Sequence, residues 1–298
     1  MCKEMIKTTH TEINIENPIS VVSQRRVFRV TGTSSSTHRY ISKQIGKDRA
    51  LTKEILKEVS NHPRYGYRKV CALLQIAGWD VGPKRIYRIW RKEGLKVRKK
   101  SRMHRTKGKA ENGCRNFKAT GMNHIWAMDF VHDSTESGST LRFLAIIDEY
   151  TRESIAIEVG TSFSGKRVSE VLLDLFKNRG VPGNIRTDNG KEFVGKAVER
   201  CLNLAAVNHL LIEPASPWEN GYSESFNSIF RDDFLNMNVF ISPKEAGTLS
   251  KVWKYEYNNL RPHGSLGQVS PAIYARSLPV VPGSAALHPP QQGEISTV

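Results

Sequence analysis

At Gly121 the chain changes its period, and this change limits the fold more than any other feature. Before it, apolar residues recur at helical spacing. Leu51, Ile55, Leu56 and Val59 form one run stopped by His62-Pro63, and Val70, Leu73, Leu74 and Ala77 form a second stopped by Gly78. Ile86, Ile89 and Trp90 form a third, opened by Pro83 and ended by Gly94. After Gly121 the runs become strands: 124–132, 142–148 and 154–159, the last two joined by a turn at 149–152. Val168, Val171, Leu172, Leu175 and Phe176 make an amphipathic helix closed by Gly180. A short strand at Asn184–Thr187, a helix from about Lys191 to Leu204 and a strand at His209–Ile212 follow. A loop at 214–217 then leads to a helix over about 220–235. The order β-β-β-α-β-α-β-α predicts an α/β fold, one mixed sheet with flanking helices, preceded by an all-α domain.

Charge divides at the same place. Residues 1–120 hold 29 of the 45 Lys and Arg but only 9 of the 29 Asp and Glu, and the remainder holds 16 basic against 20 acidic. A basic block of this size implies a polyanionic partner, and nucleic acid is the usual one. The third helix concentrates the charge, with Lys84, Arg85, Arg88, Arg91 and Lys92 opposite its apolar face. Two helices, a turn and a basic helix match a helix-turn-helix whose second helix enters the major groove of double-stranded DNA. A solvated face on an ordinary helical bundle would read the same way. Beyond it, 96–109 is basic and aperiodic, a linker able to follow a phosphate backbone.

Six segments follow: 1–45, loosely ordered; a helix-turn-helix at 46–95; a basic linker at 96–120; an α/β core at 121–240; a helical extension at 241–278; and a disordered tail at 279–298. No apolar run approaches the roughly 18–20 residues a membrane helix requires. The first residues are polar, without the apolar stretch of a signal peptide. Cys2, Cys71, Cys114 and Cys201 lie far apart with no CxxC pair, which argues against a zinc ribbon or disulfide framework. The expected location is the cytoplasm, with the nucleoid DNA.

Three carboxylates stand out. Asp129 interrupts an apolar strand, Asp188 ends a strand and enters a tight turn, and Glu224 opens a helix whose other side is Phe226, Ile229 and Phe230. If the first and fourth strands are neighbours, Asp129 and Asp188 approach and the last helix can add Glu224. Three such groups repel unless cations lie between them. Carboxylate oxygens suit Mg²⁺ or Mn²⁺, and two ions about 3.5–4 Å apart can drive phosphodiester chemistry. Asp133, Asp148, Glu192 and Glu219 are rivals. Asp148 also reads as a turn residue, and Glu192 as a first-turn carboxylate favoured by a helix dipole.

The words around these residues narrow the choice. Trp126-Ala127-Met128-Asp129-Phe130, Thr187-Asp188-Asn189-Gly190-Lys191-Glu192-Phe193 and the run from Ser216 to Asn227 resemble the DDE transposases and retroviral-type integrases. Asp188 and Glu224 are separated by 35 residues, the interval of that family, and Arg231 matches its basic residue two turns after the glutamate. The run Tyr257–Leu266 resembles the tail motif of bacterial insertion-sequence transposases. Upstream, 63–68 and 85–88 resemble their OrfB-type helix-turn-helix. The resemblance spans about 23–278. It implies an RNase H-like core with Asp129, Asp188 and Glu224 as catalytic ligands of two Mg²⁺ ions, Mn²⁺ substituting. It further implies cleavage at terminal inverted repeats, direct transesterification into target DNA, a homo-oligomer on DNA, and an upstream-frame product joined by translational frameshifting. No HxxxH is followed by CxxC, so the zinc module of the viral branch is missing. For His263 a capping or packing role is expected as readily as a chemical one, and Trp126 and Trp218 read as packing residues. A DNA-binding regulator with an inert core, or a nuclease that cuts without joining, are the alternatives.

Overall fold

The structure is a computed structural model describing residues 23–39, 44–97, 118–212 and 221–279, without the side chains of 38–47. Much of the expected linker, the loop at 214–217, Trp218, Glu219, Cys2, Cys114 and almost all of the expected tail lie outside the described residues. The chain divides into two compact units, Met1–Leu56 and Lys57–Val298.

The first unit holds helices α1 (Gln24–Thr31) and α2 (Ser35–Arg39) and most of α3 (Gln44–Asn61). Gly32 ends α1 at φ 63°, a left-handed cap that glycine adopts without strain. Leu51 and Ile55 are fully buried.

The second unit opens with α4 (Tyr67–Ile76) and α5 (Pro83–Lys92), each entered from an extended glycine, Gly66 and Gly82. Cys71 and Ala72 join Val70 and Leu74 on the buried side of α4, while Ala77 is its exposed C-cap. Pro83 fixes the first turn of α5, where its missing N–H costs no hydrogen bond. Ile86, Ile89 and Trp90 turn inward.

The core is one five-stranded sheet of β1 (Ile125–Ser134), β2 (Thr140–Asp148), β3 (Ser154–Gly160), β4 (Asn184–Thr187) and β5 (Asn208–Leu211). Their order is β3-β2-β1-β4-β5. The first three strands run antiparallel, and β4 and β5 run parallel to β1, so the sheet is mixed as the sequence predicts. Alternation along β1 separates two cores. Trp126, Met128 and Phe130 face α6 (Gly165–Arg179) and α7 (Lys196–Leu204). Ala127 and Val131 face α8 (Gly221–Asp233) and α9 (Pro243–Asn259). On that second face Phe226, Phe230 and Phe234, spaced one turn apart, meet Trp253 of α9 at ring separations of 5.0–6.0 Å. A last helix, α10 (Pro271–Ser277), follows.

The helix boundary after Asp188 differs from expectation. The helix placed from about Lys191 begins at Lys196, because Phe193 is drawn almost completely out of solvent and folds 190–194 into a turn. The amides of Phe193 and Val194 both donate to the Gly190 carbonyl, and Gly195 then starts the helix. No helix among the described residues is long and apolar enough to cross a membrane.

Candidate functional site

The first and fourth strands are neighbours. They pair in parallel with Ala127 opposite Arg186. That register, carried two residues further and just past the end of β4, leads to Asp129 and Asp188. Asp129 is half-buried; the Phe130 amide donates to its Oδ1 at 2.7 Å and the Asn227 side chain to its Oδ2 at 2.7 Å.

Asp188 is exposed, one residue past the end of β4. The Gly190 amide donates to its Oδ1 at 3.0 Å, and a Cβ on Gly190 would lie only 3.0 Å from that oxygen, so a side chain there would have to push the carboxylate aside. Neighbouring bonds hold the turn. Thr187 Oγ1 is 2.8 Å from His209 Nε2 on β5, and the Asn189 side chain donates to the Ile212 carbonyl at 2.9 Å. Arg142 reaches Glu192 in the same turn at 2.6 Å and holds that carboxyl below its usual range.

Glu224 lies in the first turn of α8, three residues before Asn227, and is exposed. Arg231 is also exposed and donates to the His132 carbonyl at 3.2 Å, which ties α8 along β1. Thus the paired strands lead toward Asp129 and Asp188, and Glu224 stands one helical turn from the residue that touches Asp129. Among the described residues, no three His, Cys, Asp or Glu side chains gather as a group able to hold a metal ion.

On α5, Lys84, Arg88, Arg91 and Lys92 are exposed and Arg85 is half-buried. Tyr87 shares this surface, its ring 4.9 Å from that of Tyr67, and the Arg68 guanidinium lies 5.7 Å from the Tyr67 ring. His263 is a packing residue. Burial lowers its pKa to about 3, and its ring meets Tyr257 edge-on at 5.0 Å. Trp126 is fully buried and donates to Asn123 at 3.1 Å, a core role.

Two residues that brace this region escaped the sequence reading. Asn227 stands inside a quoted motif and one turn after Glu224, a spacing that could have flagged it. Arg142 carries no local signal.

The mixed five-stranded sheet with flanking helices and the helical module before it define a class: an RNase H-like integrase-type core preceded by a helix-turn-helix module. The HTH-like domain family matches residues 47–102, and integrase core domain families match 119–217 and 205–271. The chain is 36% identical over 255 residues to an uncharacterized 39.2 kDa protein of insertion element IS476 from Xanthomonas euvesicatoria, covering 85% of this chain and 72% of that one. It is 32% identical to a 31.7 kDa protein of insertion element IS407 from Burkholderia multivorans, covering 85% and 91%. Transposase InsD of insertion element IS2 from Escherichia coli is 29% identical over 231 residues, 72% of this chain and 74% of that one. Among solved structures, the HTLV-2 integrase catalytic core domain in complex with magnesium overlaps 53% of this chain and 99% of its own, at 16% identity and a TM-score of 0.43. The chain belongs to the insertion-element transposases with an integrase core.

Proposed function

We propose that this protein cleaves DNA at the ends of an insertion element and joins the freed 3′-OH to target DNA in a Mg²⁺-dependent reaction. The observation that supports this most is the parallel pairing of β1 and β4, whose register carried past Ala127 and Arg186 leads to Asp129 and Asp188, while Asn227 on the helix of Glu224 donates to Asp129. These three carboxylates are the proposed catalytic and metal-binding residues for two Mg²⁺ ions, with Mn²⁺ as a substitute. Their chemistry fits: all are hard oxygen donors, two are solvent-exposed, and Asn227 fixes the orientation of the third. When bound, such ions activate an attacking oxygen and stabilise a leaving one.

The chain's own residues hold the DNA. Lys84, Arg85, Arg88, Arg91 and Lys92 on α5 contact the duplex, and Arg231 meets phosphates near the carboxylates. Water breaks the first phosphodiester and leaves a 3′-OH. That hydroxyl then attacks a target phosphodiester, its proton passes to solvent, and the target's own 3′-oxygen departs. Bond for bond the exchange balances, so no covalent enzyme intermediate is required. Pairing two ends calls for at least two copies of the chain, and an upstream-frame product joined by frameshifting would add end recognition. The location is the cytoplasm, on nucleoid DNA.

The test is strand transfer on short duplexes bearing the element's ends, comparing wild type with Glu224→Gln. Loss of several kcal/mol of transition-state stabilisation lowers joining by about 10³-fold. Equal joining by both proteins sinks the assignment, no joining or cutting by either points to a regulator, and cutting without joining points to a nuclease.

A further inference from the structure

Two motifs have no part in this chemistry: the run 63–68 ahead of α4, and Arg261-Pro262-His263 after α9. In the folded chain they meet. Tyr65 and Arg261 are both buried, at 8% and 4% exposure. The Arg261 guanidinium lies 3.5 Å from the Tyr65 hydroxyl and 5.1 Å from the ring centroid. His62 stacks on that ring at 4.5 Å, and Lys69 Nζ lies 4.7 Å from its centroid.

This cluster closes on the C-terminal end of α8. Arg261 forms an ion pair with Asp233, and Arg64 Nη1 lies 3.7 Å from Asp232 Oδ1. Arg64 Nε also points at the Met237 sulfur, 3.4 Å away, in the turn that follows α8. Two aspartates at a helix C-terminus oppose the helix dipole, and the Asp233 side chain is only 9% exposed. Such an end gains from cations, and beyond Arg231 in its own last turn two arrive from elsewhere. One comes from the segment that opens α4, the other from the tail motif. The opposite end of this 13-residue helix carries Glu224. At 1.5 Å per residue α8 is a rod of about 20 Å.

We infer that Arg64, Tyr65 and Arg261 form a joint that clamps the α4–α5 helix pair to the far end of α8. Through that helix, the seating of the DNA-holding pair fixes where Glu224 lies. All three are positioning residues and none touches the reacting atoms. The inference rests on the strand-transfer reading for its consequence, though not for its geometry.

The experiment uses the full chain and two readouts. Hydrogen exchange of α8 amides is followed with and without an end-bearing duplex, and joining is measured on the same duplex. The variants are Arg64→Asp, Tyr65→Phe, Arg261→Lys and the charge swap Arg64→Asp/Asp232→Arg. End affinity stays at the wild-type value in every variant. In wild type DNA raises α8 protection; Arg64→Asp and Arg261→Lys lose that rise and join about tenfold more slowly, a size usual for coupling between sites. The swap restores both. Arg64 and Asp232 are 22% and 29% exposed, so the swap also keeps the result interpretable if Arg261→Lys fails to fold. Unchanged α8 protection and joining in Arg64→Asp and Tyr65→Phe, a swap that does not rescue, or a loss of end affinity matching the loss of joining each overturn the joint. A wild type that never joins overturns the strand-transfer reading instead, and the exchange data still decide the joint.

Discussion

Asp148 and Asp129 lie on paired central strands, about 10 Å apart along them, and are built in opposite ways. Asp148 faces Trp126 across the β1–β2 ladder, three residues before Asp129. It is fully buried and accepts backbone N–H groups from Asn123, Tyr150 and Thr151 at 2.7–2.9 Å. Burial raises its pKa while those bonds pull it back. Next to it, buried Glu149 pairs with Arg186 at 2.6 Å. At the other end Asp188 and Glu224 stand in solvent and Asp129 is half-buried. A buried carboxylate saturated by backbone donors holds chain together, whereas one that reaches solvent can serve a ligand. The closed end sets the strand register on which the open end depends.

The sharpest way to break this contrast is at the closed end. Arg186→Met removes the cation beside Glu149, and breaking a buried pair costs about 3 kcal/mol or more. Denaturant unfolding should show that loss, with joining per folded molecule retained. A cost below about 1 kcal/mol would place this pair among surface bridges.

The second handle is pH. Burial raises Glu149 from 4.5 to about 7 against the pull of Arg186 and Arg152. Because the folded chain keeps this proton longer than the unfolded one, its contribution is complete below pH 4.5 and lost as pH rises through about 7. The difference is on the order of 3 kcal/mol. Unfolding curves of wild type and Glu149→Gln across that window should differ in slope, the variant being flatter. Parallel curves would remove Glu149 from the account.

The smallest effect belongs to the open end. Arg142 ties the Asp188 turn to the sheet, with its guanidinium 4.2 Å from the Phe130 ring as well as on Glu192. The pair is part-exposed, so Arg142→Gln should cost less than about 1 kcal/mol of stability. A loosened turn should still slow joining about tenfold, since misplacing a reacting group is penalised steeply. Stability loss without slower joining would make the bridge a surface feature.

What the sequence disclosed follows the range of each interaction. β4 was legible at both ends and β1–β3 nearly so, because alternation and turn residues are local. The helix after Asp188 was placed five residues early, since the burial of Phe193 under the sheet is tertiary. Asp129 and Asp148 each read as a carboxylate in apolar surroundings. What separates them is the Asn123 amide, 25 residues from Asp148, and the Asn227 side chain, 98 residues from Asp129. Only the surrounding words favoured Asp129. Arg186 and Glu149 gave no sign of each other because their pairing exists only across the folded sheet.

The two ends divide function from fold, and a paired measurement decides whether they do. Asp188→Asn and Asp148→Asn are compared for Mg²⁺-dependent joining per folded molecule and for unfolding free energy. Asp188→Asn should lose joining by about 10³-fold at nearly unchanged stability. Asp148→Asn leaves the Asn123 amide without its anionic acceptor and should lose about 1–3 kcal/mol of stability while joining normally. The reverse pattern, or joining by Asp188→Asn at the wild-type rate, would contradict the account.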